Sequence, residues 1–297
     1  MWVFYALGSA ILLGIYDIFK KKSLSGNAVI PVLAASVFIS SLIFIPLLIL
    51  SQTCPETMSE AGLLVPEIDK TQHFYIALKS ALVLSSWMCG YFAMKHLPMT
   101  IFAPIRATQP VWTVVGALII FSETLSAWQA IGICITIVSF FLFSTAGKSE
   151  GIYWKNNKWI WLIIAATLLG ACSGLYDKHL MHSYDRMAVQ VYSTIYQTLM
   201  MLVVLVLLWW PTHKKTTPFE WRWTIVGISV FLILADYLYY WALSDKDSLI
   251  SVVSTIRRSG AVVGFTYGAI ALHEKNLKKK AVYLAGVLTG VIMLVLK

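Results

Sequence analysis

Two stretches, Arg106–Glu123 (RATQPVWTVVGALIIFSE) and Arg257–Glu274 (RRSGAVVGFTYGAIALHE), decide how the chain folds. Each runs from an arginine through sixteen residues, uncharged apart from Arg258, to a glutamate. On a helix rising about 1.5 Å per residue, the terminal charges stand about 25 Å apart, close to the hydrocarbon thickness of a bilayer. Each stretch therefore reads as a transmembrane helix with an arginine near one end and an acid at the other. That it occurs twice predicts two homologous halves.

The rest of the chain agrees with a bilayer. Of 297 residues, 59% are hydrophobic and 12% are charged, half the roughly 25% of a soluble domain. The mean hydropathy is +0.75. A net charge of +9 is then no nucleic-acid signal, because most Lys and Arg sit in short loops and hold helix ends at the lipid–water boundary. Cys54, Cys89, Cys134 and Cys172 have neither metal nor redox spacing, and no cofactor or metal is expected. Residues 2–19 have no basic leader or small-residue cleavage site and read as a retained helix.

Ten apolar segments follow: 2–20, 29–51, 72–94, 99–121, 126–145, 158–178, 187–210, 223–244, 248–271 and 279–296. Backbone groups in lipid must pair within their own segment, so the expected fold class is an all-α membrane protein of ten transmembrane helices. Residues 52–71 read as an acidic surface loop, and 146–158 as the link between halves. Odd-numbered loops carry Lys20–Lys22, Lys95, Lys148, Lys155, Lys158, Lys214, Lys215, Arg222, Lys275 and Lys278–Lys280. Even-numbered loops and termini carry only Lys70, Lys178, Arg186, Lys246 and Lys297. That bias puts both termini on the extracytoplasmic side of a cell (inner or plasma) membrane.

Three pieces recur in the same order. Gly14-Ile-Tyr16-Asp17 returns as Gly174-Leu-Tyr176-Asp177, Tyr91-Phe-Ala-Met as Tyr240-Trp-Ala-Leu, and Arg106…Glu123 as Arg257…Glu274. The halves are 1–147 and 148–297. Five helices per half is an odd number, so the second copy crosses in the opposite sense, giving two inverted five-helix repeats with a site at the midplane between them.

On these motifs the sequence resembles the drug/metabolite transporter superfamily, specifically its ten-helix members with two EamA-type domains. The most specific element is a proline about thirteen residues before a glutamate, matched by Pro110 and Glu123. The second copy keeps Glu274 but has Ala261 in place of the proline, so a kink is expected in helix four and not assumed in helix nine. The resemblance implies transport of a small metabolite.

Charges inside a bilayer are expensive and face a cavity or a partner. The candidates are Asp17, Lys79, Arg106, Asp177, Asp236, Arg257 and Arg258. Arg106, Arg257 and Arg258 are expected to bind a carboxylate or phosphate; the alternative is a buried arginine capping carbonyls or pairing with an acid. Of the adjacent pair, about 100° apart around the helix, one would face the cavity and the other a packing partner. Asp236 with Tyr237, Tyr240 and Trp241 offers an aromatic–acid site, or neutralises an arginine. Trp87 and Tyr91 are further substrate-contact candidates. Asp17, Asp177 and Asp236 are the proton-coupling candidates; Asp17 and Asp177 alternatively pair with the basic residues that follow them. Glu123 and Glu274 read as turn holders, and Gly260, Gly264 and Gly268 as a close-packing stripe. His179 and His182 read as lying in a loop.

The expected partners are a small-molecule substrate and the lipid bilayer, with no nucleic acid and either a monomer or a homodimer. A secondary transporter of an amino acid or a related zwitterionic or anionic solute fits best, and the protein reads as no enzyme. The alternatives are an exporter of lipophilic or quaternary cations, which three buried arginines argue against, and a membrane-embedded lipid-modifying enzyme.

Overall fold

The computed structural model describes residues 2–120, 126–128, 130–132, 134–135, 138–139, 142, 157–215, 217–245, 248, 250–272 and 277–293. Glu123, Glu274 and nine of the twenty residues of segment 126–145 lie outside the described residues. Every element among the described residues is helical: α1 (Trp2–Leu24), α2 (Val29–Thr53), α3 (Pro55–Glu60), α4 (Lys70–His96), α5 (Met99–Ala107), α6 (Gln109–Ile120), α7 (Lys158–Ser183), α8 (Arg186–Val204), α9 (Thr224–Ser244), α10 (Ile250–Arg258), α11 (Ala261–Ala271) and α12 (Leu277–Met293). A π turn (Leu205–Trp209) and a 3₁₀ turn (Trp210–Lys215) prolong α8. Among the described residues, six helices are long and apolar enough to cross a membrane: α1, α2, α4, α7, α8 with its extension, and α9.

Local chemistry sets the ends. Asp69 and Gln72 form a reciprocal capping box at the start of α4, and the Asp185 carboxylate takes the Met187 and Ala188 N–H groups that open α8; each satisfies amides left without a partner in a first helical turn. The stretch read as a loop at 52–71 contains α3. Pro55 sits at its first position, and Gly62, at φ 67°, ends it with Leu63 N–H bonding back to Met58 O at 2.9 Å. Only glycine adopts that left-handed turn freely. His179 and His182 likewise belong to the end of α7 rather than to a loop, and both are exposed.

The two repeated stretches are not continuous helices. The first breaks at Thr108, between α5 and α6; the second breaks at Ser259–Gly260, between α10 and α11. Both breaks fall just after the arginines and use the same device. Thr108 Oγ1 donates to Ile105 O at 2.8 Å, and Ser259 Oγ donates to Ile256 O at 2.7 Å. The local amides also tighten to i−3 bonds: Thr108 to Ile105, Val111 to Thr108, Ser259 to Ile256 and Val262 to Ser259. Hydroxyl donation to the preceding turn competes with the helical ladder. Pro110, which lacks an N–H, reinforces the first break. Its absence from the second copy does not straighten that copy, because Ser259 and Gly260 suffice.

The packing is reciprocal across the halves. α1 packs on α9 as α4 packs on α7; α4 packs on α8 as α2 packs on α9; and α2 meets α8. The broken helices cross in the middle, α5 on α11 and α6 on α10, while α6 rests on α7 as α11 rests on α1. Their close approach requires glycine: a Cβ on Gly14 would lie 2.6 Å from Val263 Cβ and 2.8 Å from Gly260 O. The outer faces of α2 and α8 are apolar and exposed (Phe38, Leu42, Ile49; Leu199, Val203), as lipid contact demands.

Candidate functional site

Where the crossed helices break, the bundle encloses a cavity of about 110 Å³, walled by residues from 13 to 258 and therefore by both halves. Ten sequence-derived candidates meet there: Asp17, Lys79, Trp87, Tyr91, Arg106, Asp177, Asp236, Tyr240, Arg257 and Arg258. Tyr237 and Trp241 do not line it. Tyr237 packs at the edge of a cluster around Phe44 and Met187, and Trp241 is stacked under the Arg186 guanidinium, 3.7 Å from its ring centre.

The charged groups form two clusters. In the first, Lys20 Nζ lies 2.6 Å from Asp17 Oδ1 and 4.4 Å from the centre of the Tyr16 ring, and the Tyr16 and Tyr91 hydroxyls are 3.4 Å apart. Arg106 Nη1 donates to Ala166 O at 2.8 Å, so this arginine caps a carbonyl rather than pairing with an acid. In the second cluster Lys79 Nζ approaches Asp177 Oδ1 at 3.3 Å, although that oxygen receives no well-aligned hydrogen bond. Arg257 Nη2 pairs with Asp236 Oδ1, and its guanidinium lies 4.1 Å over the Tyr239 ring. Asp17 and Asp177 each pair with a lysine, and Tyr91 and Tyr240 each lie against that lysine, whereas Arg106 caps a carbonyl and Arg257 takes an acid.

Two expectations change. Arg257 and Arg258 both line the cavity, where the helix ends beneath them. Asp177 pairs with Lys79 from the other half rather than with Lys178, which instead donates to Ser248 O at 2.8 Å. Tyr176 is directed away, its hydroxyl 3.4 Å from Tyr75 O, while its counterpart Tyr16 is buried in the site; the halves have diverged.

Sequence reasoning missed Lys20, read as a loop anchor, and the uncharged polar wall. Gln190, Ser193, Thr194 and Gln197 all line the cavity. Their spacing of three and four within an apolar helix is a one-face pattern, and it was the signal available for them. Gln109 was missed too. Its Oε1 is buried without a donor beside Gly170, where an added Cβ would meet Gln109 Oε1 at 2.8 Å and Arg106 Nη1 at 3.3 Å. Gly170→Ala is expected to displace both side chains and slow flux on the order of ten-fold while leaving the thermal midpoint nearly unchanged. Initial-rate uptake beside thermal unfolding checks it.

No curated protein matches this sequence. Solved structures do: one described as "Crystal structure of protein" superposes with a TM-score of 0.67 at 11% identity, covering 97% of this chain and 94% of that one, a likeness of fold alone. Residues 1–145 and 157–296 each match the model of one family, and the two segments meet at the polar cavity between crossed, broken helices. The chain belongs to the EamA-like transporter family, as a helical membrane protein whose substrate is a small molecule.

Proposed function

We propose that the protein is a secondary transporter of a small anionic or zwitterionic solute, an amino acid being one such candidate, which it binds in the central cavity and moves by alternating access. The observation that carries this reading is the cavity itself, built jointly by both halves and lined by Arg106, Arg257 and Arg258. Buried guanidinium groups recognise carboxylate or phosphate by paired hydrogen bonds. A lipophilic cation would find little attraction there.

The proposed architecture is ten membrane crossings in two inverted repeats, 1–147 and 148–297. Reciprocal packing of the halves supports it, as do matching breaks in the two repeated helices. Discontinuous helices flanking a midplane site are the arrangement that such repeats use. Both termini are proposed to face outward across a cell membrane, on the Lys/Arg bias. A carboxy-terminal reporter is expected to be active only outside the cytoplasm, and activity inside would overturn the orientation.

In this mechanism the substrate competes for groups that tie together the helices around the cavity. Lys79–Asp177 joins α4 to α7, and Arg257–Asp236 joins α10 to α9. An anion drawn to Arg257 loosens its hold on Asp236, and protonation of Asp177 releases Lys79. Either exchange frees one face of the crossing to open, and a proton gradient would then drive the cycle through Asp17, Asp177 or Asp236. In proteoliposomes, Asp177→Asn is expected to abolish the response of flux to an imposed pH gradient while exchange driven by solute alone persists. Unchanged gradient-driven flux in each of Asp17→Asn, Asp177→Asn and Asp236→Asn would rule out proton coupling.

A further inference from the structure

Resting on the transport reading, we infer that the cavity selects a compact dianion, a phosphate monoester, held between Arg106 and Arg258 with the Gln109 amide as a third donor. The inference comes from the charge balance of the walls. Lys20, Lys79, Arg106, Arg257 and Arg258 line the cavity, against Asp17, Asp177 and Asp236. Each carboxylate already holds one cation: Asp17 holds Lys20, Asp177 holds Lys79, and Asp236 holds Arg257.

Arg106 and Arg258 are left over. Among the described residues no carboxylate lies within 4.0 Å of either. Arg106 uses one bond to a carbonyl; Asp17 acts electrostatically on both arginines, and Arg106 acts on Arg258. An uncompensated charge out of water is costly unless paired, and two of the same sign in one small cavity add repulsion. A ligand bringing two negative charges returns the walls to neutrality.

The geometry favours one tetrahedral head over an amino acid. A zwitterion offers one carboxylate and an ammonium, and the three acids that would receive that ammonium are already engaged. A phosphate monoester carries close to two charges at neutral pH and three terminal oxygens, enough for two guanidinium forks. Gln109 adds the missing detail. It opens α6 and is 4% exposed; its Oε1 is buried without a donor against Gly170, so its amide N–H groups are the part that can donate to an anion.

The test uses the full chain in lipid nanodiscs at pH 8 with a matched pair of probes, ethyl phosphate and ethyl sulfate. They share shape and differ by one charge. Calorimetric titration is expected to give ethyl phosphate at least ten-fold tighter binding than ethyl sulfate or alanine. Arg258→Gln and Gln109→Leu are each expected to erase that preference, and Arg186→Gln, which lies off the cavity, to retain it. Equal binding of the two esters overturns the inference, as does tighter binding of alanine or of succinate, a two-ended dianion. A preference that survives in both Arg258→Gln and Gln109→Leu also overturns it. Proteoliposome flux separates this from the transport reading: ethyl phosphate bound but not moved overturns transport and leaves the site, whereas alanine moved without phosphate binding does the reverse.

Discussion

Asp236→Ala is expected to cost about 3–5 kcal/mol of stability and to end flux, the figure typical of breaking a buried ion pair from one side. Arg257 would keep its charge with its acid gone. The Arg257 side chain is 12% exposed and that of Asp236 22%, so water does little to compensate. Two further guanidinium groups, Arg106 and Arg258, face the same cavity. The Tyr239 ring beneath Arg257 offers a cation–π contact worth about 2 kcal/mol at best, less than the loss. Tryptophan fluorescence during heating in detergent should show the midpoint fall, on the order of 10 °C. The double change Arg257→Met with Asp236→Leu should recover most of that fall, because removing both partners leaves no stranded charge, while flux stays absent. An Asp236→Ala midpoint within 2 °C of the parent would show that the pair does not hold α9 to α10.

The second large effect concerns backbone contact rather than charge. Gly14→Leu is expected to prevent recovery of folded protein, and Gly14→Ala to cost about 1–3 kcal/mol, the usual range for overpacking. Gly14 faces the break in the second repeated helix, where an added Cβ would lie 2.6 Å from Val263 Cβ and 2.8 Å from Gly260 O. Gly260 meets the Ala10 carbonyl in return, also too close for a Cβ. A carbonyl in a helix cannot swing aside, so relief requires α1 and α11 to separate. Gly8→Ala is the control. Its Cβ would meet only Leu238 Cδ1, at 2.8 Å, and that flexible tip can rotate away. Gel-filtration yield and thermal midpoint, compared across the three, check the ordering. Equal yields for Gly8→Ala and Gly14→Leu would remove the claim that this crossing is closely packed.

These effects depend on features of unequal visibility in the sequence. The helical class follows from apolar run length, since lipid gives an unpaired backbone no alternative. The charged candidates were visible because an Asp or Arg inside such a run has no cheap exposed position. The helix breaks were harder to read. Pro110 announces the first, but Thr108 and Ser259 are ordinary residues in an apolar helix until their hydroxyls turn back to the preceding carbonyl. Lys20 was hidden by Lys21 and Lys22. All three read as a loop anchor, yet the end of α1 carries Lys20 into the cavity and Lys21 to the carbonyls of Met94 and Leu97.

Hydropathy, period and repetition are properties of contiguous chain, and they carry the helical membrane class, the duplicated arginine stretch and most of the charged residues that enter the cavity. Tertiary structure alone decided which charge meets which. Asp177 takes Lys79, nearly a hundred positions away, rather than the adjacent Lys178. Arg257 takes Asp236, while Arg106 and Arg258 are left without an acid among the described residues. Ion pairing falls off over a few ångströms, so partners are fixed by how α4, α7, α9 and α10 pack around one cavity, and no spacing along the chain encodes that.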